Sequence, residues 1–160
     1  YWANADAVVW FSKEVLPGLR DKIPEVQFVI VGSKPTSEVL ALACDCITVT
    51  GRVEDVRPYI QHADVSVAPM RIARGIQNKV LEAMSMEKVV VASKHGFEGI
   101  EADPGRDLLI ASDAGEFVSQ ICKVLQNNMN KEMGMRAREL VIDRYSWQSN
   151  VSKLVALLGQ

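Results

Sequence analysis

Residues 64–93 read "DVSVAPMRIARGIQNKVLEAMSMEKVVVAS", and the parsing of this stretch decides the fold. Val65, Val67 and Ala68 form a short apolar strand that Pro69 stops, because proline has no N–H to give to a ladder. A basic loop with Arg71 and Arg74 ends at Gly75. The next residues have helical periodicity. At about 100° per residue, Ile76, Val80, Leu81, Ala83 and Met84 share one face, and Asn78, Lys79, Glu82 and Ser85 the other. Val89 to Ala92 are continuously apolar, as in a strand buried on both faces of a parallel sheet.

The loop before this helix has the makings of an anion site. The first N–H groups of a helix lack partners within it, and the aligned peptide dipoles add partial positive charge there. Arg71, Arg74 and Lys79 add three cations, with no acid between Met70 and Leu81. Phosphate is the expected ligand. Glu82 lies one turn above Asn78 on the polar face, where it can accept hydrogen bonds from a ligand hydroxyl. It can equally be a solvated acid paired with Lys79 or Arg138.

The same alternation extends in both directions. A helix with Ala7, Val8, Phe11, Val15 and Leu16 at its apolar spacing is expected near the N-terminus, capped by Asn4 and kinked or ended at Pro17-Gly18. "VQFVIVG" predicts a buried strand over Val26–Val31. Thr36 caps a short helix to Ala43. "ITVTG" is a strand turned by Gly51, and a helix follows from about Glu54 to His62. After Ser93, residues 94–106 read as a loop. "DLLIAS" is a last strand, and Asp113 with Glu116 forms a capping box for a helix ending near Asn127. Asn130 opens a helix to about Arg144, and Ser146 caps a terminal one carrying Val151, Leu154 and Leu158. Strands alternating with helices imply an α/β, Rossmann-like parallel sheet with helices on both faces, in one domain spanning 1–160.

Composition agrees. The 160 residues are 48% hydrophobic, which is typical of a globular chain with a core, and the net charge of −2 implies no general affinity for nucleic acid or anionic membrane. No apolar run reaches the roughly 18 residues of a membrane span. Cys44, Cys46 and Cys122 suit neither a disulfide framework nor a zinc site, so a reduced, cytoplasmic setting is expected. Trp2, Trp10 and Trp147 read as core anchors, and the methionines of "EAMSM" as packing. His62 and His95 stand alone.

Within this alternation a second regularity appears. Four expected strands are each followed closely by a cation: Lys34, Arg52, Arg71 and Lys94. Ligands of open α/β sheets sit beyond the carboxyl ends of the strands, so an anionic ligand is the simple reading. A dinucleotide dehydrogenase loses its best support, because no Gly-x-Gly-x-x-Gly follows a strand. A receiver-like regulatory domain needs acids at the strand ends, where cations stand here.

"GIQNKVLEAMSMEKVVVAS", together with "YWANADAVVWF", "VTGRVEDVRPYI", "APMRIARGIQNKVLEAM" and "YSW", resembles the family 4 glycosyltransferases, retaining enzymes of the two-domain GT-B fold. The pattern is most similar to sugar transferases of bacterial exopolysaccharide clusters. The resemblance implies that the chain is the C-terminal, donor-binding half of such an enzyme, without that half's usual first strand and without the acceptor domain. It implies a cytoplasmic enzyme, which at full length can be peripheral to the inner membrane. The donor would be a nucleotide-diphosphate sugar such as a UDP-sugar, the acceptor a glycan or lipid-linked molecule, and no metal would be needed.

The resemblance makes Glu82 the second family glutamate, which holds the donor ribose, with Arg52 and Val53 framing the nucleobase. Arg71, Arg74, Gly75, Ile76 and Lys79 then face the diphosphate, and Glu98-Gly99 could reach the donor. Three positions depart from the family pattern: Arg74 stands where the first glutamate is usual, Glu87 where glycine is, and Val89 where proline is. A GT-B-fold sugar-nucleotide epimerase would look alike at these residues. Two further expectations follow: no sugar transfer by this chain alone, because both reactants must be held in one geometry, and homodimerisation through an open sheet edge.

Overall fold

The computed structural model of the protein describes residues 2–126 and 130–146. It begins with α1 (Trp2–Trp10), which passes without a break through a π-helical turn at Phe11–Val15 into α2 (Leu16–Arg20). Pro17, in the first turn of α2, has no N–H for the preceding turn, and the wider π turn just upstream takes up that lost bond. So the helix is deformed at Pro17 rather than ended there. Asn4 lies inside α1 instead of capping it.

Then follow β1 (Phe28–Val31), α3 (Ser37–Leu40), β2 (Ile47–Gly51), α4 (Arg57–His62), β3 (Ser66–Ala68), α5 (Asn78–Ser85), β4 (Val90–Ala92), α6 (Lys94–Phe97), β5 (Leu109–Ile110), α7 (Ala114–Gln126) and α8 (Asn130–Tyr145). The α/β alternation is as expected, with one added element: α6, within the expected loop 94–106, is capped by Ser93 Oγ accepting from Gly96 N at 3.0 Å. Thr36 caps α3 as expected, its Oγ1 accepting from Val39 N at 3.3 Å. Asp113 accepts from Glu116 N at 2.8 Å, while Glu116 reaches back to Ser112 N at 2.7 Å, which completes a capping arrangement at α7. The terminal helix expected after Ser146, and Trp147, lie outside the described residues.

Among the described residues the five strands pair in parallel, in two groups. β1 pairs with β2, from Phe28 opposite Ile47 to Val31 opposite Gly51. β3, β4 and β5 form the second group, with Ser66 opposite Val90 and Val91 opposite Leu109. β4 is the centre of the packing. Val89 and Val91 join Phe11, Val15, Leu19, Phe117 and Ile121 on one face. Val90 and Ala92 join Ala68, Val80, Ala83, Met84 and Leu108 on the other. That two-sided burial explains the continuous apolar run at Val89–Ala92.

β1 departs from expectation. Val26 and Gln27 lie outside the strand, and Val29 is 45% exposed, so this strand is not buried on both faces. Among the described residues it has a ladder partner on one side only. Trp2 is 60% exposed rather than a core anchor; Trp10 does pack, edge-on to Phe117 with ring centroids 5.7 Å apart. Glu87 adopts φ +61°, the left-handed conformation that glycine takes without strain. Its carbonyl lies against α8 at Gly134, where an added Cβ would stand 2.0 Å from the Glu87 oxygen.

Candidate functional site

The site is built at the carboxyl end of β3. Ser93, just past β4, donates from Oγ to Met70 O at 2.5 Å while it caps α6, and so pins the start of the basic loop to the end of the neighbouring strand. Gly96 lets α6 come this close, since a Cβ there would meet Ala68 O at 2.5 Å. Further along the loop, Gly75 turns with φ +71°, and Gln77 Nε2 donates to Gly75 O at 3.0 Å. Gln77 precedes α5 without giving it a side-chain cap, which leaves the helix dipole end unscreened by a carboxylate or hydroxyl.

Two of the three cations of this loop and helix are held by α1. Arg71 makes a two-pronged ion pair with Asp6, with Nε to Oδ2 at 2.9 Å and Nη2 to Oδ1. This pairing lowers the Asp6 pKa, chiefly through the hydrogen bond, and raises that of Arg71. Lys79 Nζ donates to Asn4 Oδ1 at 2.5 Å and lies 3.6 Å from Met70 Sδ. Desolvation at that spot lowers the Lys79 pKa, with the nearby Glu82 charge opposing the shift. Arg74 is exposed and makes no hydrogen bond or ion pair among the described residues.

Glu82 is exposed on the polar face of α5. The pairing with Arg138 that sequence allows does not form, because Arg138 is occupied by Glu87 Oε1 at 3.8 Å and by Ser85 O at 2.7 Å. Glu82 and Lys79 both line a cavity of about 870 Å³ that runs from the strand ends, at Gly32–Lys34 and Pro69–Met70, in between β1 and β3. The arrangement is an open acceptor (Glu82) beside a held cation (Lys79), with Lys34 across the same cavity. It can bind a ligand that carries both hydroxyls and negative charge.

The other expected site residues are arranged differently. Arg52 and Val53 follow Gly51, which turns with φ +68°, and neither lines the cavity. Arg71, Arg74, Gly75 and Ile76 lie on the loop outside its lining. Ile76, expected on the buried face of the helix, precedes α5 and is 46% exposed. It packs on Gly99, where an added Cβ would lie 3.2 Å from Ile76 Cγ1. Lys94 starts α6, and Glu98 is exposed. His62 Nδ1 lies 2.7 Å from Pro58 O. Cys44 and Cys46 have their sulfurs 3.4 Å apart, with Asp45 beside them, in a turn away from this cavity.

Sequence reasoning did not assign Asn4, Asp6 or Ser93 to the site. The partners of Asn4 and Asp6 are 75 and 65 positions away, so no local pattern could have signalled them.

Comparison with known proteins adds to this geometry. The chain is 26% identical over 115 residues to a lipopolysaccharide 1,2-N-acetylglucosaminetransferase of Salmonella typhimurium, matching 68% of this chain and 29% of that protein. It superposes on Anabaena HepE, solved in complex with UDP, with a TM-score of 0.74 at 15% identity, covering 91% of this chain and 45% of that one. It also superposes on the C-terminal domain of a glycosyl transferase group 1 family protein from Francisella tularensis, with a TM-score of 0.67 at 16% identity, covering 92% of this chain and 78% of that one. The chain thus spans less than a third of that Salmonella protein. A family model named "Glycosyl transferases group 1" matches residues 1–127, and the chain belongs to that glycosyltransferase family.

Proposed function

We propose that this domain binds a nucleotide-diphosphate sugar for metal-independent, retaining transfer of the sugar to a glycan or lipid-linked acceptor in surface-polysaccharide synthesis, of which exopolysaccharide is the leading case. The observation that carries this reading is the pairing of Glu82 and Lys79 on one face of α5 at the cavity beyond the strand ends. Glu82 accepts from the ribose hydroxyls. Lys79, with the uncapped start of α5, meets the diphosphate and stabilises the charge that develops as the sugar departs. Arg74 is an exposed cation free to join it. Arg71 is committed to Asp6, so its contribution to phosphate binding requires release from that pair. The acceptor is held by a second domain of a longer enzyme working in the cytoplasm.

Supporting relatives include the Salmonella transferase and the UDP-bound HepE structure. The test is titration of the chain with UDP and UDP-sugars, with and without EDTA, followed by amide chemical shifts. Saturable binding insensitive to EDTA, with shifts centred on Lys79 and Glu82, is the expected result. Binding that requires a divalent cation, or shifts confined to other surfaces, would overturn the reading.

A further inference from the structure

We propose that Cys44 and Cys46 form a reactive dithiol site that undergoes thiol–disulfide exchange with low-molecular-weight disulfides, with Cys44 as the entry thiol and Cys46 as the resolving one. The site lies away from the donor cavity, and its chemistry is independent of that cavity.

The turn between α3 and β2 brings the two thiols together. Cys44 N donates to Ile47 O at 3.1 Å and Ile47 N to Cys44 O at 3.4 Å, which closes residues 44–47 into a tight hairpin. The Cys44 and Cys46 sulfurs lie 3.4 Å apart within it. A disulfide holds its sulfurs about 2.05 Å apart, so closure asks for a movement of about 1.4 Å. The exposed Cys44 side chain is free to make that movement. The two thiols differ in access. Cys44 is exposed, whereas Cys46 is buried with Leu16 and Ile47, and its carbonyl accepts from Phe28 N at 2.8 Å. A small disulfide in solution therefore meets Cys44 first, with Cys46 fixed behind it. Cys122 is enclosed in the main core with Phe117 and Ile121, so the three cysteines sort into a pair and a shielded single thiol.

Arg20 sets the chemistry of the pair. From the end of α2 its Nη1 donates to Cys46 Sγ at 3.3 Å, and its Nη2 lies 3.6 Å from Asp45 Oδ2. Two thiols and a carboxylate this close could ligate a metal ion. A guanidinium already engages two of the three groups, however, and its charge opposes a cation there. The same charge favours a thiolate on Cys46 as it forms. Before exchange, the hydrogen bond with Cys44 pushes the Cys46 thiol up, burial adds to the shift and Arg20 opposes it. Cys46 thus keeps its proton at neutral pH until it is needed.

The exchange runs in two displacements. Cys44 gives its proton to water, and its thiolate attacks one sulfur of R–S–S–R. A Cys44–S–S–R bond forms and R–S⁻ leaves. Cys46 passes its proton to that thiolate, and its sulfur attacks Cys44 Sγ. The bond from Cys44 Sγ to the R–S sulfur breaks, the Cys44–Cys46 disulfide forms, and the second R–S⁻ takes a proton from water. The pair is oxidised by two electrons and the small disulfide is reduced to two thiols. In a reducing compartment such a disulfide is transient.

The test incubates the purified chain with oxidised glutathione, quenches with acid, and reads intact mass and linked peptides. The parent is expected to lose two hydrogens, with Cys44 joined to Cys46 and Cys122 still reduced. Cys46→Ser should stop with one glutathione on Cys44. Cys44→Ser should react at least about tenfold more slowly than the parent, because its remaining thiol of the pair is buried. Both variants are checked for folding by circular dichroism, and a spectrum matching the parent keeps each comparison valid. A parent that does not react, or that retains glutathione on either cysteine of the pair, would overturn the proposal. So would modification of Cys46 in Cys44→Ser at the parent's rate. Protection of both thiols by equimolar Zn²⁺ would overturn it in favour of a metal site.

Discussion

Lys79 Nζ donates to Asn4 Oδ1 across 2.5 Å, which ties the first turn of α5 to α1 over 75 positions of sequence. The bond sets an ammonium at the cavity wall, one turn from Glu82 on the same helix. Lys79→Met removes the charge while keeping much of the stem. UDP affinity is expected to fall about tenfold, or roughly 1.4 kcal/mol. Thermal stability is expected to fall by no more than about 1 kcal/mol, the ordinary worth of the one hydrogen bond to Asn4 that is lost. Isothermal titration and a melting curve on one sample read both quantities.

The Arg71–Asp6 pair makes a pH prediction with a definite sign. The Asp6 pKa is lowered in the folded state, first by its hydrogen bond to Arg71. A depressed carboxylate pKa contributes stability that is present above the unfolded value of about 3.9 and lost as pH falls through the folded value. Arg71 is half exposed, so solvent screening keeps the contribution of the pair small. Asp6→Asn should thus be slightly less stable than the parent at pH 7, with the difference closing as pH falls through the lowered folded value. The same substitution frees Arg71 and is expected to tighten UDP binding at low salt. Equal affinity would place Arg71 outside the diphosphate's reach.

The contact between Glu87 and α8 predicts opposite effects on its two sides. Gly134→Ala puts a Cβ 2.0 Å from a backbone oxygen that is not at the end of a flexible side chain. A loss of about 3 kcal/mol is expected in urea denaturation. Glu87→Gly relieves the left-handed strain at the cost of the loose, exposed pair with Arg138. A gain approaching 1 kcal/mol is expected. A loss on Glu87→Gly would show that the ion pair outweighs the strain.

Much of the fold is readable because local signals agree with the global packing. Val89–Ala92 is apolar at every position and lies at the two-faced centre of the core. "ITVTG" matches β2 residue for residue, with Gly51 in a conformation that suits glycine. Glu87, at a position that glycine usually occupies in the resembled family, proves to have a left-handed backbone. What could not be read depends on distance or context. Ile76 fits the helical period but precedes the helix, because Gly75 and Gln77 shape a turn first. "VQFVIVG" looks like a fully buried strand, yet among the described residues β1 has a neighbour on one side only. Asn4 reads as a cap because Asn is a good one, while its actual work is to hold Lys79. The separation of the cations into held (Arg71, Lys79) and free (Arg74) depends on α1, which no motif links to the loop.

Arg74 offers a test of the loop as an electrostatic surface. It is exposed and without a partner among the described residues. Arg74→Ala should weaken UDP binding at low salt and flatten its salt dependence, because an exposed charge acts through a screened field. At about 1 M salt, where the screening length is about 3 Å, the variant and parent should converge. A difference that persists there would assign Arg74 a direct contact instead.

Glu82 stands open at the cavity as the acceptor proposed for the ribose of the donor. The most direct measurement is calorimetric titration of the chain and of Glu82→Ala with UDP under identical conditions. A hydrogen bond donated by a ribose hydroxyl to a charged carboxylate is worth about 1–3 kcal/mol, so the variant should bind roughly 5- to 150-fold more weakly, with its melting temperature unchanged. Equal affinity for the two proteins, or no UDP binding by the parent, would contradict the account.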